Sequence, residues 1–174
     1  QKLYEFQVPT IETLLVTPNM NVDSILGLVG EDVVMKPRAG HSGVGVLRLV
    51  GGEALSQFVS TMASDMTMVA QPFVRSAAGV DFRVMVLEGQ PLYALERRSV
   101  NVGEFRTNTG LGGRLSLVKL HDRVADVASR AAIACGLDVA GVDVTVDVDC
   151  PAVIEVNTNA GLGSSVHLSS GVDV

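Results

Sequence analysis

Lys36 closes a short apolar run, Val33-Val34-Met35, and a glycine-rich stretch follows at once, Ala39-Gly40-His41-Ser42-Gly43-Val44-Gly45. Next comes Val46-Leu47-Arg48-Leu49-Val50, a second apolar run with strand character. A strand that passes through a glycine loop into another strand is a hairpin. The dinucleotide fingerprint and the Walker A loop both open a helix, so neither fold is written here. Glycines in such a loop let backbone N–H groups approach an anion, and a lysine adds a point charge. Lys36, Gly43 and Gly45 are therefore candidates for holding phosphate. A glycine-rich hairpin is more often only a turn, so this motif alone decides nothing.

The rest of the chain alternates strands and helices. Asn21 or Asp23 caps a short helix that runs through Leu28 and stops near Gly30. Leu55, Phe58, Val59 and Met62 recur at helical spacing over residues 53–62. Residues 67–74 read as a strand. Residues 81–87 and 92–98 flank Glu88-Gly89-Gln90-Pro91 as a hairpin. Residues 99–116 are rich in glycine and asparagine, show little periodicity, and read as a long loop. Val124, Val127, Ala128, Ala131 and Cys135 form a helical stripe ended by Gly136. Residues 142–148 and 152–156 form a second hairpin about Asp149-Cys150-Pro151. The order is that of an α+β fold. It divides near residue 70 into a lobe 1–70 with Lys36 and the glycine loop, and a lobe 71–174 with the acidic hairpin.

Composition narrows the function classes. Hydrophobic residues make up 47% of the 174 and charged residues 18%, which supports a packed core and argues against disorder. The net charge of −6 gives no basic face for nucleic acid. No apolar run reaches the roughly 18 residues that span a bilayer. The two cysteines, Cys135 and Cys150, lack metal-site spacing and imply a reducing, cytoplasmic setting, with Cys135 a small buried group at a helix end. Both ends of the chain are abrupt, as in a fragment.

The acidic hairpin carries the clearest chemistry. Glu155 and Asn157 are two apart on a strand and share a face. Asp143 and Glu155 stand symmetrically about residue 149, which puts them opposite one another with Cβ atoms roughly 5 Å apart. Facing carboxylates repel unless a cation lies between them. Two carboxylates and an amide suit Mg²⁺, which keeps several waters and binds substrate phosphates as well. The bland reading is a solvated acidic face, since Asp147 and Asp149 are close by, and spacing alone leaves the two readings level.

A second group is Asp81, Arg83 and Arg97. A three-residue turn at 88–91 would set Arg83 beside Arg97, a pair that needs an anion between them. A two-residue turn would oppose Arg83 to Glu96 and Asp81 to Arg98, giving structural ion pairs. The loop segment Phe105-Arg106-Thr107-Asn108, followed by Gly112-Gly113, offers a cation and an amide over phosphates. His41, His121 and His167 form no triad with a nucleophile, and no G-x-S-x-G elbow is present. Chemistry here would run on positioning, a metal and electrostatics.

Taken together, these segments resemble the ATP-grasp superfamily, and most closely its RimK-type glutamate ligase branch. The carrying motifs are Val-Val-Met-Lys36-Pro-Arg-Ala-Gly-His-Ser-Gly-Val-Gly, Ala-Gln71-Pro72-Phe73-Val, Asp81-Phe-Arg83-Val, Glu-Arg97-Arg-Ser with Phe-Arg106-Thr-Asn108, Ala-Gly-Val-Asp143 and Ile-Glu155-Val-Asn157. They stand in the family's order and cover nearly the whole chain. The resemblance implies two α+β lobes that grip ATP. Lys36 and the glycines Gly43 and Gly45 would hold the phosphates. The hinge at Gln71, Pro72 and Phe73 would meet adenine through the Pro72 C=O and the Phe73 N–H. Asp81 is similar to the family's ribose or nucleotide contact. Asp143, Glu155 and Asn157 match its Mg²⁺ ligands, with Mn²⁺ as the substitute. Arg83, Arg97, Arg106 and Asn108 match positions near the transferred phosphate and the acyl substrate.

The implied reaction joins a carboxylate to an amine through an acyl phosphate, with an amino acid, peptide or protein tail as substrate and glutamate as the expected addition. Related enzymes commonly assemble as homo-oligomers. Two alternatives stay open: an amino-group carrier protein ligase, which Arg106-Thr107-Asn108 with Gly-Gly also resembles, and a nucleotide-binding module without catalysis. The sequence departs from the family in lacking an earlier phosphate-binding lysine upstream of Pro9 and an N-terminal substrate domain. It also has Asn159-Ala160-Gly161 where a proline often precedes the glycine.

Overall fold

The computed structural model describes residues 1–39, 43–107, 113–158 and 160. The chain forms two compact units, Ile11–Arg75 and a second made of Gln1–Thr10 with Ser76–Val174.

In the first unit, β1 (Leu14–Val16), β4 (Met68–Pro72), β2 (Asp32–Pro37) and β3 (Leu47–Val50) form an antiparallel sheet in the order β1-β4-β2-β3. Helices α2 (Val22–Val29) and α3 (Gly52–Ser60) supply the rest of its core. The α2 start is the expected one, since the Asn21 side chain accepts from the Ser24 N–H at 2.9 Å and Gly30 follows the last turn. Val33 and Met35 alternate into the core beside Ile25, Val29, Leu55 and Val59. Each such aliphatic side chain contributes about 1.5–3 kcal/mol by leaving water. Strand β1 is not announced by the sequence, because three residues are too few for a period.

The second unit holds β5 (Val80–Leu87), β6 (Gln90–Arg98), β7 (Arg114–Val118), β8 (Val139–Val144) and β9 (Val153–Asn157), an antiparallel sheet in the order β7-β6-β5-β8-β9. Helix α4 (Asp122–Cys135) covers one face, with Val124, Val127, Ala128 and Ala131 against Val84, Val86, Ala94, Val142 and Val144. Gly136 ends it in the left-handed conformation that glycine tolerates best. Cys135 is the last residue of α4 and is half-buried rather than fully buried. Residues 114–118 correct the expectation of a loop through 116: they form edge strand β7 along β6.

The opening segment, assigned by sequence to the first lobe, packs with the second unit. Helix α1 (Lys2–Glu5) leads to Val8, which is buried in the α4 core. The Val153 N–H donates to the Pro9 carbonyl at 2.9 Å, and Thr10 Oγ1 donates to the Val153 carbonyl at 3.0 Å. These ten residues end on a single parallel bridge from Thr10 to Val153 of β9 and so belong with that sheet.

Candidate functional site

In the first unit, strand register gathers the expected nucleotide-side residues. Val34 lies opposite Gln71 and Lys36 opposite Val69, so Lys36, Gln71 and Phe73 share the sheet face away from α2 and α3. Gln71 is buried and its Nε2 donates to Thr13 Oγ1 at 2.9 Å. Arg48, on the same face, clasps Asp32 through Nε and Nη2, both at 2.7 Å, and its guanidinium lies 3.7 Å from the Phe73 ring centroid. Gly43 and Gly45 both have positive φ. A Cβ on Gly45 would stand 2.9 Å from Pro37, so this position needs glycine twice over. One expected contact is corrected. The Phe73 N–H donates to the Asp32 carbonyl at 2.7 Å, continuing the β2–β4 ladder, and cannot also meet adenine. Pro72 pairs with Val33 in that ladder.

In the second unit, the sheet face opposite α4 carries Asp81 and Arg83 from β5, Arg97 from β6, Asp143 from β8 and Glu155 and Asn157 from β9. Asp143 lies opposite Glu155, the relation that the symmetric spacing requires. The β5–β6 register is neither of the two alternatives. The turn is two residues, Glu88 and Gly89, both with positive φ. A bulge then intervenes, because Val86 pairs with Pro91 and Met85 with Tyr93, leaving Leu92 as the extra residue. That single residue moves Asp81 opposite Arg97 and Arg83 opposite Leu95.

The result is a buried chain of alternating charge. Arg97 donates from Nε and Nη2 to the two oxygens of Asp81 at 2.6 and 2.7 Å, and its Nη2 also lies 2.8 Å from Asp143 Oδ2. Arg83 grips Asp143 through Nε and Nη2 at 2.8 and 2.9 Å. Thr107 Oγ1 donates to Asp81 Oδ2 at 2.6 Å, and Asn157 Nδ2 lies 3.3 Å from Asp143 Oδ2. Two carboxylates and two guanidiniums balance in charge, and among the described residues no buried side-chain polar atom lacks a partner. Asp81, expected as a ribose or nucleotide contact, is engaged here by Arg97 and Thr107.

Burial pushes the Asp81 carboxyl above its ordinary value, against the pull of Arg97. Burial also penalises the Asp143 charge, but Arg97 and Arg83 together outweigh it and hold that carboxyl below the ordinary range. Burial disfavours the Arg97 charge too, yet Asp143 and Asp81 overcome this and raise it. The difference between the acids follows from their neighbours: Asp143 faces two guanidiniums and Asp81 one.

Arg106 sits outside this chain. It is clasped by Glu104, whose Oε1 accepts from the Arg106 N–H and Nε at 2.9 Å each and whose Oε2 accepts from Nη2 at 2.6 Å. These bonds lower the Glu104 carboxyl to about 2. Neither Glu104 nor Thr107 stood out in the sequence, since an acid two residues before an arginine and a threonine in a loop carry no pattern. Asn108, Gly112, His41 and His167 lie outside the described residues.

The oxygens of this face fit a hard divalent cation. Asp143 Oδ2 receives three donors, from Arg83, Arg97 and Asn157, whereas Oδ1 receives one, from Arg83. Oδ1 therefore keeps a lone pair beside the opposed Glu155, whereas the Asn157 amide gives its nitrogen to Gly141 and Asp143, so its oxygen joins the pair only once the amide turns over. Two carboxylates and an amide leave most of a coordination sphere to water and phosphate oxygens, the usual manner for Mg²⁺. Among the described residues, no cluster of three or more His, Cys, Asp or Glu is placed to hold a metal.

A family model described as "RimK-like ATP-grasp domain" matches residues 3–174. A "Probable alpha-L-glutamate ligase" of Thioalkalivibrio sulfidiphilus is 36% identical over 156 residues, covering 88% of this chain and 51% of that protein. One of the same name from Pasteurella multocida is 32% identical over 163 residues, covering 93% and 51%. The chain spans about half the length of these curated relatives. Among solved structures, the ATP-grasp ligase PsnB complexed with minimal precursor, Mg and ADP has a TM-score of 0.72 at 24% identity, over 99% of this chain and 52% of that one. D-alanine–D-alanine ligase from Bacillus anthracis, complexed with ATP, has a TM-score of 0.72 at 21% identity, over 97% and 56%. At these identities the solved structures speak for the fold alone.

Proposed function

This chain belongs to the RimK-like ATP-grasp domain family, and on that premise we propose that it is the nucleotide-binding core of an ATP-dependent carboxylate–amine ligase. The observation that carries the reading is Asp143 opposite Glu155, with Asn157 on the same arginine-lined face. Lys36 and the loop glycines Gly43 and Gly45 contact the triphosphate, and the Gln71–Phe73 stretch lies at the adenine end with the Pro72 carbonyl as acceptor. Asp143, Glu155 and Asn157 hold the cation. Bound Mg²⁺ or Mn²⁺ would offset negative charge on the phosphate oxygens.

The reaction needs no protein nucleophile. The substrate carboxylate attacks the γ-phosphorus, the bond to ADP breaks, and an acyl phosphate forms. The amine then attacks the acyl carbon, phosphate leaves, and the amide remains. In this reading Arg106 and Arg83 stabilise charge on the transferred phosphoryl group. Arg97, buried between Asp81 and Asp143, orients the metal ligand Asp143 and supports catalysis from there. The names of the curated relatives favour glutamate as the added amino acid, and the acceptor in this reading is a protein tail, peptide or small molecule.

Calorimetric titration of Mg·ATP, repeated with EDTA, tests the site. Metal-dependent binding is expected, followed by ADP release that requires both a carboxylate and an amine. Binding with no ADP release under any substrate pair would favour a nucleotide-binding module instead, and no binding at all would sink the site.

A further inference from the structure

The loop between β6 and β7 is anchored at its base by one glycine. The Gly79 carbonyl accepts from the Ser99 N–H at 2.8 Å, and the Gly79 N–H donates to the Phe105 carbonyl at 2.9 Å. Gly79 has φ +69°, and a Cβ there would stand 3.0 Å from the Glu104 carbonyl oxygen, so the two backbones meet at a spacing only glycine allows. Two residues further along each segment a second anchor follows. Thr107 Oγ1 donates to Asp81 Oδ2 at 2.6 Å, and both residues are buried. Arg106 is the single residue between these two anchors. Its guanidinium is turned by Glu104, but the position of its backbone is set by Phe105 on one side and Thr107 on the other. Asp81 is the carboxylate that also grips Arg97.

We propose that Thr107 is a positioning residue: its hydroxyl, seated on the Asp81 carboxylate that also holds Arg97, fixes where the backbone of Arg106 leaves the sheet and so where its guanidinium meets the phosphate. The inference rests on the ligase reading only for the phosphate; the anchor itself does not. The warrant is chemical. A hydroxyl that donates to a buried, doubly engaged carboxylate makes a charge-assisted hydrogen bond, and its loss leaves Asp81 with one donor fewer in a site closed to water. Valine has the shape of threonine without the hydroxyl, and serine keeps the hydroxyl without the methyl.

The test uses two readouts on Thr107→Val and Thr107→Ser. The first is tryptic cleavage after Arg106 in the protein without nucleotide, followed by mass spectrometry, with cleavage after Arg123 and Arg130 in α4 as the measure of global opening. Local cleavage tracks the population of the open loop. Thr107→Val is expected to speed the cut after Arg106 by about tenfold, the worth of one hydrogen bond to a charged group, while the α4 cuts keep their rate. Thr107→Ser is expected to stay near the parent. The second is ADP release at saturating Mg·ATP. Thr107→Val is expected to lower it roughly ten- to a hundredfold, as for a misplaced catalytic group. Thr107→Ser restores it, and Thr107→Val adds little on an Arg106→Ala background.

Equal cleavage of the parent and Thr107→Val after Arg106 overturns the proposal. So does faster cleavage with unchanged turnover, which would make Thr107 a loop anchor only. A parent protein that turns over no ATP defeats the ligase reading instead, and the cleavage comparison still decides the anchor.

Discussion

Arg97 Nη2 lies 2.8 Å from Asp143 Oδ2 while the same guanidinium forks onto both oxygens of Asp81. One cation therefore holds two carboxylates that come from β5 and β8, and a second, Arg83, completes the balance. Removing Arg97 leaves Asp81 with Thr107 alone and one buried negative charge uncompensated. Arg97→Ala is expected to cost about 3–5 kcal/mol of stability, read from urea denaturation midpoints. Adding Asp81→Asn should recover part of that loss, because the uncompensated charge falls by one. A loss below about 1 kcal/mol, the range of an exposed pair, would mean that water reaches the chain of charges after all.

Glu155 and Asp147 separate the metal reading from a merely acidic hairpin. Asp147 Oδ1 accepts from the backbone N–H groups of Asp149 and Cys150, both at 3.1 Å, so that carboxylate builds the turn. Glu155 lies opposite Asp143. Glu155→Gln is expected to weaken Mg·ATP binding about 10- to 100-fold, the scale on which metal-site substitutions act, and Asp147→Asn by less than about twofold. Titration calorimetry decides, and equal effects from the two would remove Glu155 from the ligand set.

Glu104 gives a pH signature. Its hydrogen bonds from Arg106 bring the carboxyl from an ordinary 4.5 down to about 2. The folded value lies below the unfolded one, so the pair contributes stability that is fully present above about pH 4.5 and lost as pH falls toward 2. In Glu104→Gln that acid-side loss should be shallower over the same window, measured as urea midpoint against pH. A carboxyl carbon resonance of Glu104 that titrates near 4.5 would show that the clasp on Arg106 is not formed in solution.

The sequence announces what local periodicity and spacing control. The cap of α2 at Asn21, the stripe of α4 ending at Gly136, and the opposition of Asp143 and Glu155 are readable because each depends on residues near one another in the chain. The Asp81–Arg97 pair is not, because it depends on Leu92 being an extra residue in β6, and a bulge has no marker in an otherwise apolar run. Strand β7 is hidden for a related reason. It is an edge strand with Arg114, Ser116 and Leu117 exposed, so half of its period is missing. The Phe73 N–H reads as available until the ladder shows Asp32 taking it. Thr107 is invisible because its partner Asp81 is distant in sequence and the hydroxyl has no pattern to belong to.

Two glycines of the first unit should respond in opposite directions to the same change. Gly45 has φ +75°, and a Cβ would meet Pro37 Cγ at 2.9 Å and Cδ at 3.3 Å. Alanine there must strain the backbone and push a proline ring that has no rotamer to escape into, in the turn that follows Lys36. Gly27 stands exposed inside α2 with nothing within 4 Å of an added Cβ. There alanine narrows the unfolded ensemble and favours the helix. Gly27→Ala is expected to raise stability by about 0.5–1 kcal/mol, and Gly45→Ala to lower it by more than about 1 kcal/mol, both from denaturation midpoints. Gly45→Ala should also weaken Mg·ATP binding, whereas Gly27→Ala should leave it unchanged, because only the first reshapes the loop offered to the phosphates. A Gly45→Ala variant as stable as the parent would mean that the loop settles into a conformation with φ negative at that residue, and the case for its glycine as a phosphate contact would fall with it.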